Sequence, residues 1–132
     1  MTGYADAEEL IGDWIFEALG RKRRVWWDPG FPSNWPFTAP LIKVQRAVSF
    51  GAVAVSLDNP TLDIDVYAAV NDHAREVAAD VCSLMEFTLP TTTLPGGIFV
   101  KRVVVSMRPV WTPDPKARRS AAYEVLLHGF AN

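Results

Sequence analysis

The chain has 132 residues, of which 49% are hydrophobic and 21% charged, and its formal net charge is -2 at pH 7. That length suits one domain over residues 1–132, with a single core burying about two thirds of the unfolded surface. The near balance of charge argues against binding nucleic acid or an anionic membrane by net attraction. The sequence opens without a basic start and apolar run, and no stretch reaches the roughly 20 apolar residues of a membrane span, so it reads as a soluble chain made in the cytoplasm.

A first helix is expected from Asp6 to about Leu19, where Leu10, Ile11, Trp14, Ile15, Ala18 and Leu19 recur at helical spacing. Asp6 and Glu9 fit a capping box, and Gly20 stands where a left-handed cap ends a helix. The run Arg21, Lys22, Arg23, Arg24 then complements the negative end of the helix dipole, with a nucleic-acid contact as the sharper alternative. VWWDPGFPSNWPF, residues 25–37, holds three prolines, a glycine and five aromatics and keeps no lasting period. Val25 to Trp27 reads as a short strand, and the rest as a loop. That loop either tucks its rings into the protein's own core or presents them to a partner. Trp26, Trp27 and Trp35, with Arg23 and Arg24, are the partner-contact candidates.

LIKVQRAV after Pro40 reads as a strand with Ile42, Val44 and Val48 inward, and Arg46 breaks its pattern. Residues 49–60 form a connection with an apolar middle, expected to extend as a hairpin arm or to dock. TLDIDVYA, residues 61–68, alternates cleanly: Leu62, Ile64, Val66 and Ala68 share one face, and Asp63, Asp65 and Tyr67 the other. A second helix follows, capped by Asn71 or Asp72, with Ala74, Val77, Ala78, Val81, Leu84 and Met85 as its apolar stripe. Cys82, the single cysteine, cannot close an internal disulfide and reads as a small buried hydrophobe. IFVKRVVVSM and SAAYEVLLH are the last two strands, joined through TPDPKARR. In the final strand Ala121, Tyr123, Val125 and Leu127 face one way and Ala122, Glu124 and Leu126 the other.

This order implies an α+β fold: a mixed, largely antiparallel sheet of four to five strands with two helices packed on one face. Leu126 and Ala122, with Phe99, Val103 and Val105, are expected to make the second face unusually apolar, as though a neighbouring subunit covered it.

Two aspartates two apart on a strand are also how nucleotidyltransferases share divalent ions with a triphosphate. LDIDV has that local form, which opens a metal-dependent enzyme using Asp63 and Asp65 as the distant alternative. The rest of such a site is missing. No Gly-Ser turn precedes the strand, only Glu124 offers a third acid, no phosphate loop or zinc spacing occurs, and neither His73 nor His128 is placed to serve a nucleophile. No cofactor is expected.

The sequence resembles the tail terminator family of long-tailed bacteriophages. LDIDVYAAVNDHAREVAADVCSLM is similar to that family's strand running into its second helix, PLIKVQRA to its strand after a proline, and GGIFVKRVVVSMRPVWTPDPKARRSAAYEVLLH to its closing pair of strands. The aromatic block WWDPGFPSNWPF departs from the pattern. The resemblance implies a structural virion protein, not an enzyme, that forms a ring of six on the end of the tail tube. Such a ring terminates tube polymerisation and offers the surface for head-tail joining; a neck or head-completion protein of the same ring architecture is the alternative. The implied partners are its own copies, the tail tube protein and a head-neck connector protein. DNA passes only through the lumen, no membrane is involved, and a monomer in dilute solution is allowed. The implied location is the virion tail, after assembly in the host cytoplasm. In that setting Val53, Val55, Leu57 and Leu126 are subunit-interface candidates, and Asp63, Asp65 and Glu124 would line the lumen, with a surface salt-bridge role for the acids as the plainer option.

Overall fold

The computed structural model describes residues 6–28, 30–33, 35, 39–47 and 57–128, with Leu57 described in its backbone alone. Helix α1 spans Ala7–Ala18, and α2 spans Asn71–Ser83. The strands are β1 (Arg24–Trp26), β2 (Leu41–Arg46), β3 (Leu57–Asp58), β4 (Thr61–Ala68), β5 (Thr93–Leu94), β6 (Ile98–Trp111) and β7 (Ala117–His128). They form one seven-stranded sheet in the order β1-β2-β4-β7-β6-β5, with β3 pairing β7 beyond the end of β4. β1 and β2 are parallel, and every other pairing is antiparallel. The fold is α+β with a mixed sheet. It has more strands than the sequence suggests because β3 and β5 are only two residues long and carry no period of their own.

The ends of α1 follow the residues expected to set them. Asp6 accepts a hydrogen bond from the Glu9 N–H at 3.3 Å. At the other end Gly20 takes φ 71°, its N–H donates to Glu17 O at 3.0 Å, and the Arg21 N–H donates to Phe16 O at 2.9 Å. This bond pair closes the last turn and needs a left-handed residue at Gly20. The start of α2 differs from expectation: Val70 is the cap residue and no side chain caps the helix, so neither Asn71 nor Asp72 plays that part. Tertiary packing stands in for a cap, since Ala74, Val77, Ala78, Val81 and Cys82 are all buried.

One core lies between the helices and the sheet. Ile11 and Ile15 of α1 and the buried stripe of α2 belong to the same cluster as Ile42 and Val44, Leu62, Ile64 and Val66, and Ala121, Tyr123, Val125 and Leu127. Met85 and Leu89 extend it through a π-helical turn, Leu84–Thr88, that continues α2 and is closed by the Leu89 N–H donating to Leu84 O at 2.8 Å. Arg46, the residue that broke the β2 pattern, reaches the buried Asp58 with two bonds of 3.1 and 2.9 Å. The charge at the end of a core strand is thus matched by a carboxylate twelve positions away.

β6 corrects the expected second face. Val100 stands opposite Leu127 but Arg102 stands opposite Leu126, so Lys101 is an extra residue that reverses the alternation. Val103 and Val105 therefore turn toward the helices and pack against the core instead of lying on the outer face. The same extra residue turns Val104 outward opposite Glu124, and further register shifts after Val105 and after Met107 bring Met107 and Val110 outward opposite Ala122 and Ser120. All three are exposed, as is Trp111. The outer face is apolar as expected, with Ala122 and Leu126 on it as expected and Val104, Met107 and Val110 in place of Val103 and Val105.

If Lys101 is only the extra residue of a bulge, its deletion restores plain alternation with Val100, Val103 and Val105 still inward. The deletion variant is expected to keep a single cooperative urea transition with stability within about 1 kcal/mol of the parent. Loss of that transition would refute the register.

Candidate functional site

Asp63 and Asp65 leave β4 on its outer side, as period-two spacing requires. Lys43 and Ser120 flank Asp65 in the ladder, while Gln45 and Ala122 flank Asp63. Asp65 accepts from Arg118 at 2.9 Å, with side chains only 19% and 27% exposed, and Asp114 lies 3.6 Å from the same guanidinium. An ion shared by both aspartates would have to displace Arg118. Among the described residues no group of three or more His, Cys, Asp or Glu side chains is placed to hold a metal. Partial burial first, and then the charge of Asp65, push the Asp63 carboxyl above its ordinary pKa. Glu124, half-buried, stands opposite Thr61 and Val104, so the three acids run obliquely along the outer face.

The end of this face beyond Asp65 is covered by the aromatic loop. Tyr67 lies between Leu41 and Arg118 in the ladder. Phe31 meets Tyr67 edge-on at 5.0 Å and stacks on Trp35 at 5.4 Å. Trp35 is 3% exposed and donates its indole N–H to Ala39 O at 2.8 Å. Leu41, Tyr67 and Trp35 form a second small core against which Trp26 packs. Trp35 is therefore a core residue and not a surface anchor: its ring has Tyr67 and Phe31 to cover and its N–H is satisfied internally.

Cations close over these rings. Lys43 Nζ sits 4.7 Å and Lys116 Nζ 4.8 Å from the Phe31 centroid, and the Arg118 guanidinium is 5.4 Å from that of Tyr67. Burial lowers the Lys43 pKa, an effect that Asp65 opposes. Sequence reading missed this cluster, because Lys43 and Lys116 belong to separate elements. The usable signal was Tyr67, a large ring on the face reserved for polar groups.

The other partner-contact candidates are dispersed. Trp26 is half-buried beneath Arg24, whose guanidinium is 5.8 Å from its ring, and its shielded indole N–H has no hydrogen-bond partner among the described residues. Trp27 is also half-buried and lies against α1 at Gly12, where an added Cβ would come within 3.0 Å of the ring. The basic run divides: Arg21 pairs with Glu17 at 2.8 Å, Arg23 is half-buried, and Arg24 enters β1. Leu126 is half-buried on the outer face opposite Arg102, and the Leu57 backbone pairs with His128. Val53, Val55 and the rest of the arm at residues 49–56 lie outside the described residues. Cys82 is buried as expected.

No family model matches the chain, and no curated protein matches it. A solved chain without a descriptive name is 20% identical over 89% of each chain, with a TM-score of 0.47. A likeness at that level carries no argument about fold or function.

Two expectations follow. Trp35→Ala should cost about 3 kcal/mol in urea unfolding of the isolated protein, whereas a pure partner anchor would leave that stability unchanged. A carboxyl with a raised pKa binds its proton more tightly in the folded chain, so ionised Asp63 costs stability above that pKa and the cost vanishes below the unfolded value. Asp63→Asn should therefore raise the melting temperature at pH 7 and lose this advantage below about pH 4; a pH-independent difference would contradict the assignment.

Proposed function

We propose that this chain is a structural protein of a long-tailed bacteriophage that forms a ring on the end of the tail tube, ends tube polymerisation and offers the surface for joining the head. In this reading the tail tube protein and a head-neck connector protein are its partners, and DNA crosses the ring only through the lumen.

The observation that carries the reading is the outer face of the β6–β7 ribbon. A sheet face open to water is ordinarily polar, yet Val104, Met107 and Val110 are 40%, 40% and 45% exposed there, and Ala122 lies between β4 and Met107. Exposed apolar groups in one band favour burial against another surface. A closed ring needs a heterologous contact, one surface of each copy meeting a different surface of the next. Here the ribbon with Leu126 is one side of that contact, and the apolar residues Val53, Val55 and Leu57 supply the other. The acids then take different roles: Asp65 is held by Arg118 and serves the fold, Glu124 lies within the apolar band opposite Val104 and belongs to the contact, and Asp63 remains to give the lumen a charge that repels DNA. The sequence resemblance supports the same reading, since the stretches that carry it coincide with β4 leading into α2 and with the β6–β7 pair.

Negative-stain microscopy of the protein mixed with tubes of its cognate tail tube protein tests this. Caps at one tube end and a fixed tube length are expected. The double variant Val104→Lys, Met107→Lys should lose the caps while keeping its circular dichroism, because both side chains are 40% exposed in the monomer and Glu124 stands opposite the first. Tubes that grow uncapped in the presence of the parent protein would end the reading.

A further inference from the structure

The helix-facing side of the β6–β7 ribbon carries a second constellation that ring formation does not use. Beside the π-helical turn an open groove of about 530 Å³ is lined by Arg75, Cys82, Glu86, Phe87, Arg108 and Arg119, among others. Arg108 forks onto Glu86 with two bonds of 2.9 Å, and its Nη1 comes within 4.0 Å of Cys82 Sγ. Arg75 has only a loose, largely exposed pairing with Asp72 at 3.7 Å.

Arg119 has less. It stands opposite Val66 and so points to the helix side, and among the described residues its solvent-shielded Nε has no hydrogen-bond partner and no carboxylate pairs with it. A nitrogen of a charged group removed from water and left unmatched is costly, and the terminal nitrogens of Arg119 remain to meet a ligand. Three arginines against the single carboxylate lining the groove leave an excess of two positive charges, close to the charge of a phosphate monoester near neutral pH. Arginine forks suit phosphate oxygens, which accept several bonds at once. Phe87, 77% exposed at the groove's edge, adds an apolar ring face beside the cations. The π-helical turn that puts it there is a local irregularity of a kind enriched at functional sites.

We propose that this groove is a binding site for a phosphate group carried on an aromatic body, with the phosphate on Arg119 and Arg75 and the body against Phe87. The site stands apart from the ring contact, which uses the opposite face of the ribbon.

Titration calorimetry of the whole protein at low salt, with phenyl phosphate, inorganic phosphate and phenol as probes, tests it. Phenyl phosphate should bind more tightly than inorganic phosphate, and phenol should give no binding. Arg119→Gln should weaken phenyl phosphate by at least about tenfold, the loss expected for a charge-assisted hydrogen bond. Arg102→Gln removes the same charge from the outer face and should change affinity by less than about twofold, given screening over that distance. If Arg119→Gln does not fold, Arg75→Gln, at an exposed helix position, takes its place with the same expected loss. The proposal is overturned if neither phosphate binds, if the groove and outer-face variants lose equally, or if phenol binds as well as phenyl phosphate. Equal affinity for the two phosphates would overturn it as well, because the aromatic body would then contribute nothing.

Discussion

β4 is hydrogen-bonded on both sides, to β2 and to β7, so it cannot slip by one residue without exchanging Leu62, Ile64 and Val66 in the core for Asp63, Asp65 and Tyr67. Fully burying one aliphatic side chain of this size is worth about 2 kcal/mol, and the exchange would also bring two carboxylates out of water. That penalty holds the register, and the register orders both faces. On the helix side it brings the β4 aliphatics under α1 and α2. On the other it lines up Lys43, Asp65 and Ser120 in one row and Leu41, Tyr67 and Arg118 in the next, which is why an ion pair and an aromatic cluster lie side by side there.

β6 obeys a different rule. Its three register shifts let one strand serve two masters: Val100, Val103 and Val105 feed the core, while Val104, Met107 and Val110 face away from it. A strand of unbroken alternation would give its valine run to both faces in fixed turn. The bulges choose which valines go where. The apolar outer band and the arginine-lined groove are thus two products of one irregular strand, and the ribbon separates them into independent surfaces.

How much of this was legible in the chain depended on how local the cause was. α1, β4 and the stripe of α2 could be read directly, because pleat and helix periods act within a few residues and Asp6 and Gly20 mark their ends in place. β6 was read on the wrong face after Val100, since a bulge is a property of two strands in register and no pattern in IFVKRVVVSM alone reveals the extra residue. The same limit hid Asp58 as the partner of Arg46, and Arg118 as the partner of Asp65, 53 positions apart. Trp35 stood open between the protein's own core and a partner because a tryptophan in a proline-rich loop looks the same in sequence whether it faces a partner or covers its own Tyr67. The groove arginines come from α2, β6 and β7, and only the folded chain brings them together.

Arg46 and Asp58 have a consequence beyond neutralising charge. They stand at the two mouths of the segment that leaves β2 and returns at β3, and their bidentate contact, with Asp58 almost wholly buried, fastens those mouths like a clasp. Closure of that excursion is then secured at its base, and lengthening it adds only a slowly growing entropic term. The distance between the end of β2 and the start of β3 is thus set by an ion pair and not by the length of chain that joins them.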